Sequence, residues 1–408
     1  MPNRTTMICL LSDQHMPNLV SVHHFKPDAL VLVVTPDTKK RQLDTYFQKA
    51  LLAGELSYDD HCETIELPSA VAFKEIKDSF EGLRARLWES GEIIINLTGG
   101  TKPMSMMLHE VFRETAKRAV YIDVATPDRI YDVMANKFET CKYRPSISAF
   151  LAGYGFKFDN RNPALARERR ARQLDGLSTI IAQQKVEGSL LKLLSSNSDT
   201  SSRYGSVNKG KSIELKVNEL WVGNAILRDA IAEYFNLKKR GDSLTGEVSA
   251  NTFHFLMSGW LEVFLWNRLQ QHARELCISD VSWSRQIFDD RHGGDAPPTL
   301  LNEFDVTFMR DHALHVVECK TGTQHEDKKV DALYKLEAVV KQFGALRVNS
   351  FFASTSSNIL NEKGNVKPSV ATRAKNFRCQ LMPRSAISAI AAAPDDVEPL
   401  TKALGFVL

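Results

Sequence analysis

Asn302-Glu303-Phe304-Asp305-Val306-Thr307-Phe308-Met309-Arg310-Asp311-His312-Ala313-Leu314-His315-Val316-Val317-Glu318-Cys319-Lys320 reads as two strands and a tight turn. Phe304, Val306 and Phe308 alternate with Glu303, Asp305 and Thr307, the period of a half-buried strand. Leu314 to Lys320 is β-branched in its middle and follows Arg310-Asp311-His312-Ala313, a polar turn. With Asp311 and His312 at the centre of that turn, Asp305 falls opposite Glu318 and Glu303 opposite Lys320. Opposed residues on one face have Cβ atoms about 4.5–5.5 Å apart, so two carboxylates there repel each other. A divalent cation removes the objection, because hard cations are held by carboxylate oxygens with water in the remaining positions. Lys320, on the same face as Glu318, can meet negative charge beside such a cation. Two acids, a cation and an ammonium suit the cleavage of a phosphodiester. The competing reading is a solvated hairpin face with Glu303 and Lys320 as an ordinary cross-strand pair.

Asp305, twelve intervening residues and then Glu318-Cys319-Lys320 resembles the signature of PD-(D/E)xK restriction-endonuclease-like nucleases. The resemblance implies Mg²⁺ or Mn²⁺ on Asp305 and Glu318, with Lys320 positioning the attacking water and stabilising charge. Upstream, Phe253 to Leu269 reads as a long apolar helix containing Gly259-Trp260-Leu261-Glu262-Val263-Phe264. A carboxylate flanked by apolar residues needs a partner, and an arginine would serve. In the nuclease family, however, the helix before the hairpin often carries a Glu aimed at the metal. Gly-Trp-Leu-Glu, Asn-Glu-Phe-Asp-Val and Glu-Cys-Lys together resemble the dimeric CARF–nuclease effectors of type III CRISPR systems. By that resemblance Glu262 joins Asp305 and Glu318 as a metal-binding and catalytic residue. Cys319 faces away from the acids and reads as a packed thiol. Leu333, Leu336, Val340 and Phe343 recur at helical spacing before a Gly344 stop, and Ser350–Ser354 and Arg378–Leu381 read as further strands. His292-Gly293-Gly294-Asp295 reads as a plain loop. The expected domain is a restriction-endonuclease-like α/β fold over residues 246–408.

The 408 residues suffice for two or three domains, and a net charge of +3 permits basic patches without proving a nucleic-acid partner. Six scattered cysteines without CxxC spacing argue against a zinc site or a disulfide scaffold, and fit a reducing compartment. Met7–Leu11 is too short for a signal peptide, and no apolar stretch approaches a membrane span. A soluble cytoplasmic protein without membrane contact is expected.

The first 140 residues alternate strand and helix patterns, which predicts a parallel α/β sheet. The strands fall at Met7–Leu11, Ala29–Thr35, Glu63–Leu67, Glu92–Leu97 and Ala119–Val124. Between them lie helices near Met16–His24, Thr38–Ala53, Ser69–Glu89 and Pro103–Lys117. Two strand-to-helix loops stand out, Ser12-Asp13-Gln14-His15 and Asn96-Leu97-Thr98-Gly99-Gly100-Thr101-Lys102-Pro103. In doubly wound sheets ligands collect at the carboxyl ends of strands near the switch point. Paired glycines admit a close backbone, hydroxyls and free N–H groups favour an anion, and Lys102 adds a cation. A tight turn with a helix cap is the plainer account, and neither GxxxxGK[ST] nor GxGxxG is present.

The Asn96–Lys102 run resembles the signature of CARF domains, the Rossmann-like sensors of CRISPR-linked proteins. That family binds cyclic oligoadenylates across a homodimer. The resemblance covers roughly residues 1–140, implies a sensor domain over 1–145, and assigns ligand contacts to Ser12, Asp13, Gln14, Thr98, Gly99, Gly100, Thr101 and Lys102, with Thr35 and Pro36 as outlying candidates. Cyclic tetra-adenylate is the first activator to try. A ligand of two-fold symmetry suits a two-fold dimer. Met104, Met107, Leu108 and Val111 line one helix face, as core or dimer contact.

Residues 146–245 read as a linker and a small helical or winged-helix module. Arg161, Arg167, Arg169, Arg170 and Arg172 lie in a linker helix, solvated or touching phosphate. Ser195 to Lys211 is loop-like, between amphipathic helices at Gly188–Leu194 and Val222–Phe235. The whole predicts an α/β protein of three parts acting as a cyclic-oligoadenylate-activated, metal-dependent nuclease on DNA or RNA. The alternative is a nucleotide-responsive DNA-binding regulator with an inactive nuclease-like domain.

Overall fold

The computed structural model describes residues 4–88, 91–123, 126, 128–159, 161–184, 213–216, 225–241, 243–291, 298–321, 343, 348–356, 359–361 and 365–407. The expected features at Gly188–Leu194, Ser195–Lys211, His292–Asp295, Leu333–Val340 and Gly344 lie outside those residues, as do Val124 and the start of Val222–Phe235. The chain forms two compact units. One takes Met1–Phe158, Ile287–Leu301 and Asp311–Leu314; the other takes Asp159–Gln286, Asn302–Arg310 and His315–Leu408.

The first unit runs β1 (Thr5–Leu10), α1 (Met16–Phe25), β2 (Ala29–Val34), α2 (Pro36–Lys40), α3 (Leu43–Ala53), β3 (Cys62–Glu66) and α4 (Phe73–Leu87). It continues with β4 (Glu92–Asn96), α5 (Lys102–Phe112), β5 (Arg118–Ile122), β6 (Arg129–Asp132), β7 (Lys137–Thr140), α6 (Ile147–Ala152) and β8 (Phe156–Phe158). The sheet order is β3-β2-β1-β4-β5-β6-β7, and the first five strands are parallel. This is the doubly wound order, with its switch point between β1 and β4. Every residue of Ala29–Val34 is buried, as a strand covered on both faces requires. The antiparallel β6 and β7 were not expected; their short, charged stretches carry little apolar alternation. The expected helix at Thr38–Ala53 is two helices, because Gln42 adopts a left-handed φ of 58° that ends one and opens the next. Helix α4 starts at Phe73 rather than at Ser69, whose hydroxyl instead accepts from the N–H groups of Val71 and Ala72. Met104, Met107, Leu108 and Val111 belong to the core.

The second unit opens with α7 (Arg161–Gln173), α8 (Asp175–Gln183), β9 (Ile213–Lys216), α9 (Ala225–Tyr234), β10 (Lys238–Arg240) and β11 (Ser243–Gly246). The three strands form an antiparallel sheet in the order β10-β11-β9, the strand, helix, hairpin sequence of a winged helix. Next come α10 (Ala250–His254), a π-helical turn (Phe255–Gly259) and α11 (Trp260–Gln271). The carboxyl-terminal elements are β12 (Ile278–Asp289), β13 (Thr299–Arg310), β14 (Ala313–Lys320), β15 (Val348–Ser354), α12 (Pro368–Asn376), β16 (Cys379–Pro383), α13 (Arg384–Ala392) and α14 (Val397–Leu404). Neighbouring strands follow the order β16-β15-β14-β13-β12-β8, with β15 and β16 parallel. One continuous core joins Leu177, Leu227 and Leu244 to Trp266, Val306 and Phe351.

Candidate functional site

The β13–β14 hairpin turns at Asp311 and His312, both with positive φ (51° and 57°), the primed turn whose twist matches its strands. The expected half-buried face is present at one end of the hairpin only. Glu303 is exposed and Asp305 half-buried between buried Phe304 and Val306, as alternation requires, but toward the turn Thr307, Leu314 and Val316 are as buried as Val306 and Phe308. At the acid end the cluster is half-buried, Asp305 and Glu318 keeping 18 and 20 % of their side-chain surface exposed.

Asp305 and Glu318 do come together. Lys320 Nζ lies 2.5 Å from Glu318 Oε1 and 3.8 Å from Asp305 Oδ2, so one ammonium spans both carboxylates. The Cys319 N–H donates to Asp305 Oδ2 at 2.7 Å and fixes that carboxylate. Glu303 does not pair with Lys320 as the plain hairpin reading had it; it accepts from the Ser284 hydroxyl at 2.7 Å. Cys319 is buried in the core, as a packed thiol should be.

Glu262 sits on α11, one turn past the π-helical segment. Such single π turns concentrate at functional sites. This one exposes the Met257 carbonyl to the Thr321 hydroxyl at 3.1 Å, tying the helix to the end of β14. Glu262 is 9 % exposed and accepts from Trp283 Nε1 at 3.1 Å. The arginine partner that a boundary residue would need is replaced by this indole. Trp283 lies on β12, a strand whose mixed polar sequence gives no clear period, so sequence reasoning misses it.

The electrostatics follow from the burial. Desolvation first, and the Glu318 charge second, push the Asp305 carboxyl up to about 7 against the pull of Lys320 and the Cys319 N–H. Burial and the nearby Asp305 hold Glu262 well above the ordinary carboxylate range. Burial alone would lower Lys320, but Asp305 and Glu318 outweigh it and keep the ammonium firmly charged. Three acids therefore share too little positive charge. Among the described residues no three His, Cys, Asp or Glu side chains form a ready-made metal cage. Two carboxylates completed by water still suit Mg²⁺ or Mn²⁺, which need few protein ligands.

A raised folded-state pKa means that folding takes up a proton between the free carboxyl value of about 3.9 and about 7. Asp305 thus costs stability increasingly as pH rises through that window. In cation-free buffer Asp305→Asn is expected to melt higher than the wild type at pH 8, by a few degrees. The gap should close as pH falls toward 4. Manganese at pH 8 should raise the wild-type midpoint and leave the variant's nearly unmoved. Scanning fluorimetry reads both; a variant that melts lower at pH 8 contradicts the assignment.

The second cluster lies at the carboxyl ends of β1 and β4. Asn96, fully buried, donates to Asn18 Oδ1 (2.9 Å) and to Ser21 Oγ (3.0 Å), and accepts from the Thr98 N–H (3.0 Å). Asn18 donates in turn to the Leu10 carbonyl at 2.7 Å. This network, absent from the sequence-derived candidates, clamps the two loops together. A Cβ on Gly99 would lie 1.9 Å from the Leu10 carbonyl oxygen, and Gly100 has φ 71°, so both glycines are required by the backbone. Thr98 Oγ1 accepts from the Ile122 N–H at 2.9 Å and Thr101 Oγ1 donates to the Ala70 carbonyl at 2.6 Å. Both hydroxyls therefore tie the loop to neighbouring segments, Thr98 through its oxygen alone, which leaves its proton available to donate. Lys102 and Asp13 are exposed, Asp13 with Arg41 at 2.7 Å, while Ser12 and Gln14 are half-buried.

A doubly wound domain with clamped loops at its switch point, followed by a domain with a half-buried acid–lysine cluster, defines a two-domain α/β protein. Residues 6–149 match the family described as the Card1 CARF domain, and residues 249–385 match the Card1-like endonuclease domain. The chain thus joins a CARF domain of the Card1 type to a Card1-like endonuclease domain. No curated protein matches it. Among solved structures, protein VC1899 from Vibrio cholerae is similar over 98 % of both chains, at 18 % identity and a TM-score of 0.76. Can2 from Sulfobacillus thermosulfidooxidans, in complex with cyclic tetra-adenylate, is similar over 98 % of both chains at 20 % identity and 0.64. A type III CRISPR defence DNA nuclease activated by cyclic oligoadenylate is similar over 92 % of this chain and 52 % of its own, at 14 % identity and 0.51. Among the described residues no helix is long and apolar enough to cross a membrane.

Proposed function

We propose that this protein is a cyclic-oligoadenylate-activated, metal-dependent nuclease of CRISPR-linked defence, of the PD-(D/E)xK type. The observation that carries the reading is the single ammonium of Lys320 spanning Asp305 and Glu318, inside the stretch that matches the endonuclease family. A divalent cation on Asp305 and Glu318 would supply an activated water and polarise the scissile phosphate. Lys320 places a fixed positive charge where the phosphodiester gains negative charge. Glu262, held by Trp283 and kept well above the ordinary carboxylate range, takes up a proton as the cluster's charge changes. The Cys319 N–H keeps the Asp305 carboxylate oriented throughout.

The CARF loops at 12–14 and 98–102 would bind the activator, with cyclic tetra-adenylate supported by its presence in the Can2 complex. Val71, Phe73 and Met106 are exposed by 69, 47 and 57 %. Thr101 bonds to neighbouring Ala70, so this apolar patch lies beside the ligand loop, and a second copy of the chain is its natural cover. The parts are taken as residues 1–145, 146–245 and 246–408, in a soluble cytoplasmic homodimer.

The test incubates purified protein with labelled single-stranded and duplex DNA and RNA, with and without cyclic tetra-adenylate and Mn²⁺, its mass read by light scattering. Cleavage is expected with both additions and a dimeric mass. Binding without cleavage in every arm would favour the DNA-binding regulator instead.

A further inference from the structure

The winged-helix module has a surface that the nuclease reading leaves unused. A cleft of about 570 Å³ runs between α7 and α9, lined by Ala166, Arg169, Arg170, Leu174, Tyr234 and Phe235. Two guanidinium groups and two aromatic rings thus share one concavity. Arg170 is fixed in it, donating to Thr252 Oγ1 at 3.0 Å, while Arg169 is exposed. Tyr234 is 42 % exposed and packs its hydroxyl so close over Gly176 that a Cβ there would come within 2.5 Å. A bulkier residue at 176 would push the ring away. Three residues beyond Phe235 the chain enters β10, whose Lys238, Lys239 and Arg240 are all exposed. Lys239 pairs with Asp229 at 2.7 Å; Lys238 and Arg240 extend the basic surface toward the hairpin turn at Gly241.

A winged helix often lays the helix before its hairpin into a duplex major groove. Here that helix is α9, whose exposed Glu233 repels phosphates and whose Arg228 is taken up by Asp229, itself paired with Lys239. The positive charge lies instead on the cleft and the wing, next to aromatic rings. A basic groove interleaved with rings is how single strands are held, by stacking of bases and by phosphate neutralisation.

We propose that the α7–α9 cleft and the 238–240 wing hold single-stranded nucleic acid, with a base against Tyr234 and phosphates on Arg169, Lys238 and Arg240. This rests on the nuclease reading for the identity of the strand as substrate, but its test needs no cleavage. Anisotropy of labelled DNA and RNA single strands and of matched duplex is followed in EDTA, with the full chain and with cyclic tetra-adenylate present and absent. The wild type should bind single strands more tightly than duplex. Tyr234→Ala should weaken that binding roughly 5- to 150-fold, the usual range for one lost stack, and Tyr234→Trp should restore it. Arg169→Ala, on an exposed helix position, should lower the salt slope by roughly 0.7. Unchanged binding in both Tyr234→Ala and Arg169→Ala, or a preference for duplex, overturns the proposal. Intact binding in a protein that never cleaves overturns the nuclease reading and leaves this one standing.

Discussion

Lys320→Ala should lose ligand-stimulated cleavage by a factor on the order of 10²–10³, the usual loss when one fixed charge is withdrawn from a transition state. Its affinity for cyclic tetra-adenylate should be unchanged, since Lys320 and the CARF loops belong to different compact units. The size follows from the cluster. Half-buried Asp305 and Glu318 and buried Glu262 form one cluster in which Lys320 supplies the charge closest to two of them. Removing it leaves those acids to take up protons, so the variant loses both the cation at the phosphate and the ionised carboxylates beside it. Added manganese should recover only part of the loss, because a mobile ion replaces the ligand charge but not the fixed ammonium. Glu262→Gln keeps the Trp283 hydrogen bond and should cost less, about tenfold. Single-turnover cleavage of a labelled substrate measures each; a fully active Lys320→Ala would remove the lysine from the chemistry.

The β13–β14 hairpin is legible in the sequence because its logic is local. Turn chemistry fixes which residues face each other, and facing acids imply a charge to reconcile them. The parallel strands of the first unit are equally legible, since Ala29–Val34 is apolar at every position and only a doubly covered strand is. Three features are not. Burial of Thr307 and Val316 depends on what covers the other face of the hairpin, which no alternation of hairpin residues reveals. Trp283 comes to Glu262 from a strand with Ser, Arg and Gln on both faces. The threonines of the second loop carry hydroxyls that look available to a ligand, yet they bond to Ile122 and Ala70, far away in sequence. Sequence spacing shows which groups a loop offers; it does not show which of them the fold has already used.

The same limit explains the largest stability effect expected in the first unit, Asn96→Ala. A polar residue ending an apolar strand looks like the start of a loop, whereas Asn96 is fully buried and makes three hydrogen bonds. Truncation strands Asn18 Oδ1 and the Thr98 N–H without partners and opens a void. Two such groups cost about 1–3 kcal/mol each, so a loss of roughly 3–5 kcal/mol is expected. For a unit of this size that lowers the thermal midpoint by about 10 °C. Asn96→Asp is no rescue: it still accepts from Thr98, but its second oxygen faces Asn18 Oδ1. Asn18 cannot turn over to meet it without setting its own oxygen against the Leu10 carbonyl. Ligand affinity should fall at least tenfold even well below the midpoint, because the loops must then be ordered at the expense of binding. Lys102→Ala gives the contrast, since an exposed lysine should leave the midpoint alone and lower affinity only. Calorimetry of the two variants separates a clamp from a contact. Wild-type melting of Asn96→Ala would show that the two loops keep their places without it.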